Sequence, residues 1–270
     1  MKKTELVTAF GAKATIYHQG AHVSSWIPSE ALGEQLFVAR QSEFASGRPI
    51  RGGVPVCFPQ FSGFGSGPKH GFARSIEWDL VSVSDDQSEA VFGLQANDET
   101  RALWPFEFTL LLTVTLTPNQ LSVALTVNNC GAQAFDFSGA LHTYFATTNF
   151  THVRLSDFAG VSHWNNGSPL TERHTKEDGL LQLNGHLDRV YFDAPDRLRF
   201  VDGAKTLTIA KQGFTDVVVW NPGAELTKGI ADMGDDEFVG MLCVEAAVVD
   251  RPVVLAAGAT WRGAQVMTIV

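Results

Sequence analysis

No apolar run in this chain of 270 residues approaches the length that spans a bilayer, and the opening MKKTELVTAFGAKATIY interrupts any signal-peptide core with Glu5 and scattered polar residues. A cytoplasmic protein that does not enter a membrane is the expectation. Cysteine is sparse. Cys57, Cys130 and Cys243 cannot all pair and none has CxxC spacing, so reduced thiols are expected rather than a disulfide framework. Basic residues are in the minority, 20 against 29 acidic ones, and a net charge of -9 argues against nucleic acid as a partner. The histidines form neither an HExxH pattern nor Cys/His ligand spacing, and there is no GxSxG elbow or GK[ST] loop. Zinc hydrolysis, serine hydrolysis and P-loop nucleotide binding therefore have no support.

One absence is local. From Phe44 to Ile76 the chain has no Asp or Glu, yet this stretch carries Arg48, Arg51, Lys69, His70 and Arg74 among glycines, prolines and aromatics. A positive island in an acidic protein focuses field on a small anionic group while the remaining surface repels polyanions. Arg51 and Arg74 present planar donor forks that suit phosphate oxygens. Arg51-Gly52-Gly53 reads as a place where backbone approaches a ligand closely, because glycine lacks a Cβ.

What is present in abundance is strand signal. FTLLLTVTL (108–116) and LSVALTV (121–127) flank a turn, and the second alternates apolar and small polar residues with period two. Shorter runs recur at 89–94, 206–210, 216–220 and 241–249, and 262–270 supplies a closing strand. Helical turns are expected only at 98–103 and 224–233. With no repeats and no low-complexity linker, the pattern predicts an all-β chain: one large antiparallel β-sandwich domain over 1–270, with a few short helices.

Two ionisable residues stand out against apolar neighbours. Glu245 lies within MLCVEAAVV (241–249), where burial of a carboxylate is costly unless it is paired or serves a site. Desolvation there would push its pKa towards working pH, although an outward-facing strand position explains it as well. His142, in GALHTYF (139–145), reads on its neighbours alone more often as a hydrogen-bonded core histidine than as a proton-transfer group.

RGGVPVCFPQF (51–61) followed by HGFAR (70–74) resembles the hexose-6-phosphate mutarotases, the glucose-6-phosphate 1-epimerase branch of the aldose 1-epimerase superfamily. The resemblance continues in order through LHTYF (141–145), LDRVY (187–191), VVWNP (218–222) and MLCVEA (241–246), covering most of the chain. It implies a galactose mutarotase-like sandwich that interconverts the α and β anomers of a hexose 6-phosphate. Ring opening needs a base at the C1 hydroxyl and an acid at the ring oxygen, with no metal or redox cofactor. The resemblance assigns those roles to Glu245 and His142. It places His70 and Asp188 on the sugar hydroxyls and Arg51 and Arg74 on the phosphate. Lys69 stands where many relatives have glutamine and implies a further phosphate or hydroxyl contact. Gly223 replaces a common aromatic, which implies a more open wall.

Rival readings are a mutarotase for unphosphorylated aldoses, a non-catalytic sugar-phosphate-binding protein, and a glycoside hydrolase that uses Glu245 with Asp188. The first gives Arg51 and Arg74 no partner. The second gives the proton-transfer pair no task, and the third leaves His142 without a role. A monomer is expected, because no segment reads as an interface.

Overall fold

A computed structural model describes residues 1–168, 172–175, 179–181 and 183–270. Period-two patterning becomes strand wherever it occurs at length. Phe108–Thr117 and Gln120–Asn129 bury every second residue, from Phe108 to Leu116 and from Leu121 to Val127, and turn the Thr and Ser positions partly outward. They form a hairpin that closes at Thr117 and Gln120.

That hairpin is central to an antiparallel sheet of eight strands. Its order is Arg154–Ser156, Arg197–Asp202, Lys205–Gln212, Thr260–Ile269, Gln120–Asn129, Phe108–Thr117, Glu89–Gln95 and Asp79–Val83. The closing strand expected at the C-terminus is Thr260–Ile269, and it sits in the middle of this sheet. The second large sheet runs His174–Thr175, Ser162–Asn165, Leu187–Tyr191, Asp216–Asn221, Met241–Leu255, Phe135–Leu141 and Val56–Cys57, with Tyr144–Ala146 also paired to Met241–Leu255. Lys3–Val7, Lys13–Tyr17 and His22–Ile27 make a separate three-stranded sheet. Every pairing between these strands is antiparallel, as the sandwich expectation requires.

One apolar cluster fills the space between the two large sheets and extends under the small one, joining Leu112 and Val123 to Val219 and Val244 and to Ile16 and Trp26. Along Met241–Leu255 the residues Leu242, Val244, Ala246 and Val248 enter this cluster. Strand alternation therefore turns Met241, Cys243, Glu245 and Ala247 to the opposite face. The strand outlasts its expected end at 249 because Pro252, which has no N–H to give the ladder, falls in a register shift between Val248 and Val253.

Helices are few, as expected. Asp98–Leu103 is closed at its start by a reciprocal capping box between Asn97 and Thr100. The second helix is shorter than expected, Gly223–Thr227 instead of 224–233. Gly229 breaks the pattern, its N–H bonding to the Leu226 carbonyl in a turn, and the chain then folds back to bring Asp232 to Arg51.

Candidate active site

His142 and Glu245 lie far apart in sequence, and cross-strand register brings them together. Tyr144 pairs with Cys243 and Ala146 with Met241. Continuing that antiparallel register two places sets His142 opposite Glu245, and the Val244 N–H bonds to the Thr143 carbonyl at 3.1 Å between them. The His142 Nε2 lies 3.4 Å from the Glu245 Oε1. Glu245 is 1% exposed and His142 7%; among the described residues the Glu245 Oε2 and the His142 Nδ1 have no hydrogen-bond partner. The outward-facing reading of Glu245 is thereby set aside. Its side chain leaves the sandwich core only to enter a small cleft.

The same register carries Asp188 into that cleft. Asp188 pairs with Trp220, Trp220 with Cys243, and Val218 with Glu245, so these alternate positions share one face. Asp188 accepts a 2.7 Å hydrogen bond from the Asn166 side chain. Its neighbour Arg189 instead donates to the Asn165 Oδ1 at 2.9 Å. Successive strand residues point to opposite faces, which separates Asp188 from Arg189 and leaves the carboxylate aimed at the cleft.

The glycine-rich island supplies the opposite wall. Lys69, His70, Phe61 and Arg51 all line the cleft. His70 has φ +66°, a left-handed conformation uncommon for a residue with a Cβ. Next to it Gly71 has φ +71°, and a Cβ there would come 2.0 Å from the Phe58 carbonyl oxygen. His70 Nδ1 accepts from the Ser62 N–H at 3.2 Å, which leaves the proton on Nε2 as a donor.

Gly52 and Gly53 serve a different purpose from the one the sequence suggested. A Cβ on Gly52 would meet the Phe37 carbonyl oxygen at 2.2 Å, and one on Gly53 the Val23 carbonyl oxygen at 2.2 Å. The close approach is of backbone to backbone, not of backbone to ligand. Gly223 is not part of the cleft wall. It starts a helix, and a Cβ there would press on the His186 backbone nitrogen at 2.7 Å.

The two arginines occupy unlike places. Arg51 lines the cleft but is already engaged, its Nε 3.1 Å and Nη2 3.0 Å from the Asp232 Oδ1 and its Nη1 3.3 Å from the Tyr144 hydroxyl. Arg74 is not in the lining; its Nη2 donates to the Lys69 carbonyl at 2.9 Å and supports the loop from behind. Sequence reading passed over Asn166, Tyr144, Trp220 and Asp232. Asn166 and Asp232 carry no motif, and only the folded chain puts them beside Asp188 and Arg51.

Burial dominates the electrostatics. It pushes the Glu245 carboxyl well above the usual range, Asp188 adds to the rise, and Arg74 opposes it. It pushes His142 well below the usual imidazole range, and proton competition with the adjacent His70 and the charges of Arg74 and Arg51 act in the same direction. His70 is driven down to about 3 by burial and then by Arg74, Lys69 and Arg51, so it is neutral in the cleft. Asp188 is raised by its own desolvation, against the Asn166 hydrogen bond. The Cys57 thiol is pushed up to about 12 by burial, which makes it a poor nucleophile. Among the described residues, one set of donor atoms, from His142, Cys243 and Glu245, lies within 4.8 Å of one another and could take a metal ion. Cys130, Cys57 and Cys243 are all free thiols.

Comparison with known proteins agrees with this geometry. The family model described as aldose 1-epimerase matches residues 3–268. A protein of Cenchrus ciliaris, provisionally named glucose-6-phosphate 1-epimerase, is 32% identical over 97% of this chain and 83% of its own length. A protein of Escherichia coli K12 with the same provisional name is 33% identical over 87% of this chain and 79% of its own length. The solved structure of YeaD from Salmonella typhimurium, provisionally titled a mutarotase, superposes with a TM-score of 0.88 at 28% identity, covering 96% of this chain and 87% of that one.

Proposed function

The chain belongs to the aldose 1-epimerase family, and from that membership and the chemistry of the cleft we propose that it interconverts the α and β anomers of hexose 6-phosphates, glucose 6-phosphate foremost. The observation that carries the reading is the 3.4 Å separation of His142 Nε2 and Glu245 Oε1 on a buried cleft floor beneath basic side chains. The C1 hydroxyl and the ring oxygen are bonded to one carbon, so the groups that serve them must be near neighbours. An acid and a base on distant elements could not do this.

In the proposed reaction Glu245 takes the proton from the C1 hydroxyl while His142 delivers one to the ring oxygen. The bond from C1 to the ring oxygen breaks and a carbonyl forms at C1. Rotation about C1–C2 exposes the other carbonyl face. The hydroxyl formed from the ring oxygen then adds back to C1, returning its proton to His142 as Glu245 reprotonates the C1 oxygen, and both groups end as they began. His70 donates from Nε2 to a sugar hydroxyl, and Asp188, held by Asn166, accepts from another. Lys69 and Arg51 hold the phosphate. Arg74, behind the loop, adds its charge to the same field. The proposed working unit is a single domain over 1–270 and a cytoplasmic monomer, a reading supported by a cleft lined by residues of one chain and by three free thiols.

Exchange NMR between α- and β-glucose 6-phosphate, with and without protein, tests the assignment, and no acceleration over buffer would refute it. One observation favours a mutarotase for neutral aldoses: Arg51 already has Asp232 and Tyr144 as partners. The two substrates separate these readings. Replacing Lys69 or Arg51 with alanine is expected to raise KM for glucose 6-phosphate about tenfold, the effect of removing one charge-assisted hydrogen bond. Activity on free glucose should change far less, and Arg74→Ala should shift the same ratio by a smaller factor. Equal losses on both sugars would assign the cleft to neutral aldoses.

A further inference from the structure

Behind the cleft floor, on its core side, lies a buried polar group that the acid–base chemistry does not use. Thr260–Ile269 turns Gly263, Gln265 and Met267 inward, and Gln265, at 1% exposed, occupies a position that the alternation would give to an apolar residue. A buried primary amide is costly unless both of its ends are satisfied. Here both are. Its Nε2 donates to the Val244 carbonyl at 2.9 Å, and its Oε1 accepts from the Thr143 hydroxyl. The orientation is dictated by chemistry: the Val244 carbonyl can only accept, so the amide nitrogen must face it and the oxygen is left for Thr143.

These two anchors are the chain neighbours of the proposed catalytic pair. Thr143 follows His142, and Val244 precedes Glu245. The Val244 N–H donates to the Thr143 carbonyl at 3.1 Å, so main chain and side chains form one closed loop of bonds: Thr143 to Gln265, Gln265 to Val244, Val244 to Thr143. Thr143 is fully buried, so water cannot stand in for a missing member. His142 lies in the gap between two ladders on Met241–Leu255, with Leu141 opposite Ala246 on one side and Tyr144 opposite Cys243 on the other, and its own N–H bonds to the Pro55 carbonyl. Gln265 reaches across from the other large sheet and locks the spacing from behind.

We infer that Gln265 and Thr143 are positioning residues, a bridge between the two sheets that sets the separation of His142 from Glu245. This rests on the acid–base reading of that pair. A misplacement of about 1 Å between reacting groups can cost on the order of 100-fold in rate, so a bridge of this kind acts on turnover and not on substrate affinity. Neither residue lines the cleft.

Gln265→Met fills the same volume without the bonds, and Thr143→Val removes only the hydroxyl. Each is expected to lower kcat about 10- to 100-fold with KM for glucose 6-phosphate unchanged within twofold. Thr143→Ser, which keeps the hydroxyl, is expected to stay within a few-fold of wild type. The double variant is expected to be no slower than the worse single one, because both cut the same bridge. The inference is overturned if folded Thr143→Val turns over as fast as wild type, if KM rises instead of kcat falling, or if the two losses multiply. Should wild-type protein fail to accelerate exchange, the function proposed above fails. The bridge is then judged by the NMR titration of the His142 ring, where curves that coincide in wild type and Thr143→Val refute it.

Discussion

Glu245→Gln is expected to slow anomer exchange by about two to four orders of magnitude and at the same time to make the protein more stable. The two effects have one cause. A carboxyl that is 1% exposed, with the Oε2 unpartnered, is held in the cleft against its own solvation, and the rise in its pKa registers that cost. Glutamine keeps the shape and removes the charge. The sign of the pH dependence follows. A carboxyl whose folded-state pKa is raised binds its proton more tightly in the folded protein than in the unfolded chain. Its contribution is therefore most favourable at low pH and declines as pH rises from the ordinary glutamate value near 4.5 towards the raised one. The difference in Tm between Glu245→Gln and wild type should accordingly widen from pH 4 to pH 8. Thermal melts at several pH values check this, and a variant that is both slow and less stable would show that Glu245 serves packing. His142→Ala should lose a comparable factor in rate, whereas retention of activity when both are replaced would mean that another pair does the chemistry.

The pH–rate profile is the second large effect. Glu245 is shifted up and His142 down, so between the lower and the upper macroscopic pKa the pair carries one proton between them. A protonated carboxyl beside a neutral imidazole and a carboxylate beside an imidazolium have the same proton count, and the second arrangement is the reactive one. The rate is expected to fall about tenfold per pH unit below the lower macroscopic pKa, where a second proton removes the base. It should fall likewise above the upper one, where loss of the shared proton removes the acid. Because burial lowers His142, the acid limb should lie below the value near 6.5 of a free imidazole. Measuring kcat/KM for glucose 6-phosphate from pH 4 to pH 10 tests this. A single limb centred at 6.5, unchanged in Glu245→Gln, would show an isolated histidine and no coupled pair.

The strands were legible in the chain because half-burial writes itself into every second residue, as in 108–116 and 121–127. Glu245 was legible as an anomaly for the same reason: a carboxylate in an apolar run has to be accounted for. His142 was ambiguous, since a core histidine and a proton donor have the same neighbours in one dimension. The charged island was legible as a concentration of basic side chains, but the surroundings of its parts were not. Gly52 and Gly53 yield to neighbouring backbone, and Arg74 stands behind the loop while Lys69 and Arg51 face the cleft. Glycine permits close approach without saying what approaches.

By itself the sequence determined the all-β class, the places of most strands and the family. Those follow from local rules, since alternation, turns and desolvation act over a few residues. Only the tertiary structure decided that His142 stands 3.4 Å from Glu245, that Asp188 turns to Asn166 and away from Arg189, and that Gln265 reaches through the core to brace them. Antiparallel register and the stacking of two sheets set such distances, and both depend on pairings between segments that no local pattern records.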